Sequence, residues 1–178
     1  MNPYVLIVPG ARNSGPEHWQ SLWQAADPSM ERLNVNNWDN PTCDSWIKAI
    51  DSQVRRALEP VVVVAHSLGC LAFAHWAAQN QSTVRGALLV AVPDPDGPSF
   101  PAEATGFSPL PLLKLICKSI VVSSRDDPFG SPEYARRCAE AWGSRFVDIG
   151  CAGHINAASN LGRWSEGLQL LHELLSTS

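Results

Sequence analysis

Ser67 is the residue of this chain best placed to act as a nucleophile, because of what surrounds it in Ala65-His66-Ser67-Leu68-Gly69. Small residues two positions either side of a serine form the pattern of a nucleophile elbow, here with alanine where the first glycine is usual. The strand-to-helix turn is so tight that larger side chains at those positions would collide. It holds the serine in a strained backbone conformation, its hydroxyl exposed at a helix N-terminus where developing negative charge is favoured.

An activated serine needs a base and a third group that orients the base. His154 follows the last expected strand in Gly150-Cys151-Ala152-Gly153-His154-Ile155-Asn156, which puts an imidazole on a loop over the sheet's carboxyl edge. The acid comes from Ser124-Arg125-Asp126-Asp127-Pro128-Phe129. Asp127, directly before the proline, is preferred over Asp126, although an Asp-Asp-Pro turn on its own would read as turn or cap chemistry. Asp94 and Asp96, after an earlier strand, are weaker candidates because a better-placed acid follows. The catalytic set expected is therefore Ser67, Asp127 and His154.

An elbow also predicts where an oxyanion is held: by the N–H after the nucleophile and one from the loop after the first strand. Leu68 and Ala11 are the expected donors, with Arg12 the alternative to Ala11. His18, Trp19 and Asn156 are expected near the substrate, and packing is the competing reading for His18 and Trp19.

The elements that position these residues follow from periodicity. Val61 to Val64 is a β-branched run suited to a strand buried on both faces of a parallel sheet, and the Ala/Leu-rich stretch after Ser67 reads as a helix. Tyr4–Val8, 33–35, 85–92, 119–123 and 145–149 are the other expected strands. Expected helices cover 16–26, 42–58 with Trp46, Ile47, Ile50, Val54 and Leu58 on one face, 132–142 and 161–175. The proline-rich segment 94–111 is too irregular for a regular element, and it leaves the carboxyl end of a central strand to border the mouth of the site.

Composition narrows the function. At 178 residues with a formal net charge of -4, the chain reads as one domain, 1–178, able to bury roughly 70% of its unfolded surface. No Lys/Arg cluster suits a nucleic-acid partner. The apolar run at Met1–Pro9 is too short for a signal peptide, and no run approaches a membrane span, so a cytoplasmic protein without a membrane partner is expected. The five cysteines have no C-x-x-C spacing and read as free thiols; neither they nor the histidines are spaced as a metal site. The chemistry requires no cofactor and no metal. The partner it implies is a small-molecule acyl substrate; no protein partner is legible.

The motifs taken together, Val8-Pro9-Gly10 with His18-Trp19-Gln20 and Trp23, the elbow, the 124–129 segment, and Gly153-His154-Ile155-Asn156 with Gly162-Arg163-Trp164, resemble the short serine hydrolases related to retinoblastoma-binding protein 9, the YdeN-like family of the α/β-hydrolase superfamily. The order Ser, Asp, His along the chain is that superfamily's. The resemblance spans nearly the whole chain. It implies an α/β fold: a three-layer sandwich on a parallel six-stranded sheet of order 2-1-3-4-5-6, a minimal α/β-hydrolase without a cap domain. It also implies a triad of Ser67, Asp127 and His154 and carboxylesterase-like reactivity on small esters. The competing readings are a binding or scaffolding protein with little turnover, and a peptidase or thioesterase.

Overall fold

The computed structural model describes residues 4–80 and 84–176; Met1–Pro3, which head the N-terminal apolar run, lie outside them. Six strands, β1 (Tyr4–Val8), β2 (Glu31–Arg32), β3 (Val61–His66), β4 (Val84–Val90), β5 (Lys118–Ser123) and β6 (Arg145–Asp148), form one sheet of order β2-β1-β3-β4-β5-β6. Every pairing is parallel. The order expected from the sequence is the one observed. The strand order reverses between β1 and β3, and in open α/β sheets ligands bind outside the carboxyl ends at such a switch point.

The four valines of β3 are fully or almost fully buried, as continuous β-branched burial requires. Val61, Val63 and Ala65 face one side, with α2 (Cys43–Arg56), α3 (Leu68–Gln79) and α4 (Pro132–Trp142). Val62 and Val64 face the other, with α1 (Trp19–Ala26) and α5 (Ser165–Ser176). Helix α2 presents Trp46, Ile50 and Val54 to the sheet, whereas α3 is apolar all round and buried between the sheet and α2. Helix α4 starts at Ser131, whose hydroxyl accepts from the Tyr134 N–H at 3.2 Å, and has Pro132 in its first turn.

Several boundaries differ from expectation, each for a local reason. The edge strand is 31–32, not 33–35, and polar contacts anchor it: Arg32 donates to Asn13 Oδ1, the Ser14 carbonyl, Ser21 Oγ and Gln24 Oε1. Apolar patterning is blind to such a strand. β4 stops at Val90 because Ala91 turns left-handed at φ 56°. Helix α1 begins at Trp19, capped by His18, and α5 begins at Ser165 because Gly162 and Trp164, at φ 57° and 41°, break the run from Leu161. A short 3-10 turn, Ala157–Ser159, precedes it. Among the described residues no helix or strand lies between Val90 and Lys118, and no helix is long and apolar enough to cross a membrane.

Candidate active site

The turn between β3 and α3 places Ser67 at φ 54°, ψ -125°, a conformation costly for a non-glycine residue. The surroundings hold it there: the Ser67 N–H donates to the Val90 carbonyl at 2.9 Å, and its carbonyl accepts from Cys70 N–H at 2.8 Å. A Cβ at Gly69 would lie 2.3 Å from the Val8 carbonyl oxygen and 2.6 Å from that of Pro9. Gly69 therefore lets the helix start press against the end of β1. Gly10 is confined less tightly on the opposite side, where a Cβ would come 2.9 Å from Ser67 Cβ. Ser67 is the N-cap of α3 but makes no side-chain cap bond, which leaves its hydroxyl for other partners.

That hydroxyl lies 2.8 Å from His154 Nε2, and His154 Nδ1 lies 2.8 and 2.9 Å from the two carboxylate oxygens of Asp127. A carboxylate only accepts, so the imidazole proton sits on Nδ1 and Nε2 is the acceptor for the serine O–H. Asp127 Oδ1 also accepts from the Phe129 N–H at 2.9 Å, and the Phe129 ring packs on that of His154 at 4.5 Å. Asp126 points elsewhere. Its Oδ1 accepts from Ser124 Oγ and from the Gly153 N–H, both at 2.8 Å, and these bonds lower its pKa. The aspartate next to the one that touches His154 thus clamps the loop that carries it.

His66, which sequence reasoning passed over, clamps the same loop from the elbow. It is 5% exposed, and its Nε2–H donates to the His154 carbonyl at 2.9 Å. Burial, followed by the neighbouring His154 and His18, holds its pKa well below the ordinary histidine value. Trp19 adds a third tie, its indole N–H donating to the Ile155 carbonyl at 2.8 Å. Trp19 therefore corrects an expectation: it is 1% exposed, packs against Trp23 and Trp164, and does not line the cleft, because its one polar atom is committed to the loop behind. Gln20, also overlooked, is fully buried. It accepts from Ser14 Oγ at 2.6 Å and donates to the Val64 and Val8 carbonyls, joining the ends of β3 and β1 to the loop between β1 and α1.

The cleft over Ser67 has a volume of about 520 Å³. Leu68, Pro93, Phe100, Pro101 and Phe129 give it an apolar wall, while Asn13, His18 and Asn156 supply polar edges. Asn156 lines it and caps the 3-10 turn, accepting from the Ala158 N–H at 3.0 Å. His18 reaches the cleft but is 4% exposed; its Nδ1 accepts from the Gln20 N–H at 3.2 Å, which puts the proton on Nε2. Burial first, then the charge of Arg32 and the proximity of His154, lower its pKa to about 4. Leu68 is the first residue of α3, so its N–H has no carbonyl within the helix to meet. Ala11 lines the cleft opposite, whereas the Arg12 N–H is already bonded to the Trp38 carbonyl at 2.8 Å. Among the described residues no group of three or more His, Cys, Asp or Glu side chains is arranged to hold a metal ion.

With this geometry in view, residues 5–173 match the family model described as serine hydrolase. The chain belongs to that family. It is similar to a putative YdeN-like hydrolase of Pectobacterium atrosepticum, at 34% identity over 97% of this chain and 90% of that one, with a TM-score of 0.87. The ydeN product of B. subtilis superposes with a TM-score of 0.74 at 20% identity, covering 98% of this chain and all of that one. A thermophilic esterase of Thermogutta terrifontis shares the fold at 16% identity, with a TM-score of 0.73 over 97% of this chain and 90% of that chain. No curated protein matches the sequence. This serine hydrolase is YdeN-like, within the α/β-hydrolase superfamily.

Proposed function

We propose that this serine hydrolase is carboxylesterase-like and cleaves small esters or related acyl compounds through an acyl-enzyme on Ser67. The observation that carries the reading is the continuous hydrogen-bonded path from Ser67 Oγ to His154 Nε2 and from His154 Nδ1 to Asp127. His154 takes the serine proton as Oγ attacks the ester carbonyl, and Asp127 keeps the imidazole in the accepting tautomer and stabilises the imidazolium. The N–H groups of Leu68 and Ala11 receive the oxyanion. His154 then returns the proton to the leaving alcohol, and a water that it deprotonates in turn hydrolyses the acyl-enzyme. The apolar wall of Leu68, Phe100 and Phe129 suits a short hydrocarbon acyl or alkyl group.

The test is fluorophosphonate labelling read by intact mass, with p-nitrophenyl acetate and butyrate turnover alongside. Wild type is expected to label stoichiometrically, and Ser67→Ala not at all, with kcat reduced by about a million-fold. Folded wild type that neither labels nor turns over ester would replace this reading with a binding protein on a hydrolase fold.

A further inference from the structure

Apart from its imidazoles, the cleft is lined by two charged residues, Arg12 and Glu103, and they face each other. Arg12 Nη2 donates to Glu103 Oε1 at 3.1 Å, joining the loop after β1 to the proline-rich segment after β4. The partners are unequal. The backbone beside Glu103, and then Arg12, hold its pKa below the ordinary carboxylate value, and its side chain is 30% exposed. The Arg12 side chain is 75% exposed, and among the described residues Glu103 is its one hydrogen-bond partner. A guanidinium presents a planar fork of donors matched to carboxylates, so most of this fork is open to a second acceptor while Nη2 stays on Glu103.

The backbone beneath is an independent pointer. Arg12 sits at φ 63°, a left-handed conformation that glycine or asparagine adopts more easily, and its N–H is fixed to the Trp38 carbonyl. The loop thus accepts strain at an arginine whose side chain is three-quarters exposed. Strain maintained at the rim of a cleft is an observation from which function is argued.

We propose that Arg12 is a specificity-determining residue that binds a carboxylate on the substrate, so that this hydrolase prefers anionic esters such as half-esters of dicarboxylic acids. The inference rests on the esterase reading above. Arg12 directly follows Ala11, the proposed oxyanion donor, so one loop holds the ester carbonyl and, a few carbons away, the carboxylate. The apolar wall of Phe100 and Pro101 receives the methylene spacer between them. Glu103 holds the guanidinium over the mouth, and the substrate carboxylate joins it there on the open part of the fork.

The decisive quantity is the ratio of kcat/KM for mono-p-nitrophenyl glutarate to that for p-nitrophenyl valerate, compared between wild type and Arg12→Asn. Asparagine suits the left-handed backbone, so the variant keeps its loop, which a thermal melt verifies. The ratio is expected to fall about tenfold in the variant, to rise in Glu103→Gln, and to fall with added salt in wild type but not in Arg12→Asn. A ratio within about twofold of wild type in Arg12→Asn overturns the proposal. Calorimetric binding of mono-p-nitrophenyl glutarate to Ser67→Ala and to Ser67→Ala/Arg12→Asn separates the two claims. Absence of turnover on both esters ends the esterase reading, while equal binding to the two Ser67→Ala proteins ends the role of Arg12.

Discussion

Replacing Asp127 by asparagine isolates the contribution of the acid without disturbing the fold. The Asp127 side chain is 2% exposed and that of His154 10%, so water does not substitute for either partner. Asparagine keeps one carbonyl oxygen, enough for the Phe129 N–H that Oδ1 now accepts. Its amide group, however, donates toward His154 Nδ1 and drives the proton to Nε2. The imidazole then offers Ser67 a donor where an acceptor is needed. Loss of the correct tautomer in a serine triad costs about four orders of magnitude in kcat, equivalent to about 5.5 kcal/mol of transition-state stabilisation. Asp126→Asn is the matched control: its retained oxygen still accepts from Ser124 Oγ and the Gly153 N–H, so kcat is expected within about threefold of wild type. Turnover of p-nitrophenyl butyrate, with circular dichroism and melting temperature to establish folding, reads both. A crippled Asp126→Asn beside an active Asp127→Asn would refute the argument.

Stability should depend on pH through His18. Its pKa in the fold, about 4, lies below the ordinary value near 6.5, so the unfolded chain binds a proton that the fold excludes between those values. The stabilisation is complete above about pH 6.5 and lost as pH falls toward 4, by up to about 3 kcal/mol. Urea unfolding at pH 7.5 and 4.5 should record that loss, and His18→Asn, which retains a helix-capping acceptor, should reduce it; an unchanged pH dependence in the variant would exclude His18 as its source. Gly69→Ala sets a methyl group against two backbone carbonyls and is expected to cost about 1–3 kcal/mol together with activity. Gly15→Ala, where nothing lies within 4 Å, should leave the melting temperature unchanged, and equal melting temperatures for the two variants would contradict the close approach at Gly69. His66→Leu leaves the His154 carbonyl without its donor, a loss of about 1–3 kcal/mol for a buried group, and should depress kcat more than KM. His66→Gln, which restores an N–H, should recover part of it; no recovery would mean that packing rather than the hydrogen bond matters.

The sheet was legible because its strands are apolar in runs that parallel burial demands, and the four valines of β3 are the plainest instance. β2 was not, because its two residues are held by the guanidinium of Arg32 rather than by buried side chains. That Ser67, Asp127 and His154 would meet could be read from spacing and chain order, since an elbow, an acid before proline and a loop histidine each leave local marks. His66 and Gln20 leave none. Their importance lies in which carbonyl each side chain meets, and those partners, His154 for one and Val8 and Val64 for the other, are distant in the chain. Trp19 shows the opposite limit: its position after the loop that follows β1 suggested contact with substrate, but a large indole gains more by burial.

The separation along the chain between Ser67 and His154 is 87 residues, and α3, β4, β5, α4 and β6 lie between them. Ser67 and His154 therefore meet only after most of the sheet has been laid down. Closure of so long a loop precedes any benefit from the contact. On the proposed mechanism, a chain halted before the last strand would have the elbow but an ordinary, unreactive hydroxyl. The reactivity proposed for Ser67 toward a phosphonate would thus report completed folding, and followed during refolding it would mark the moment at which the Ser67 turn and the His154 loop join.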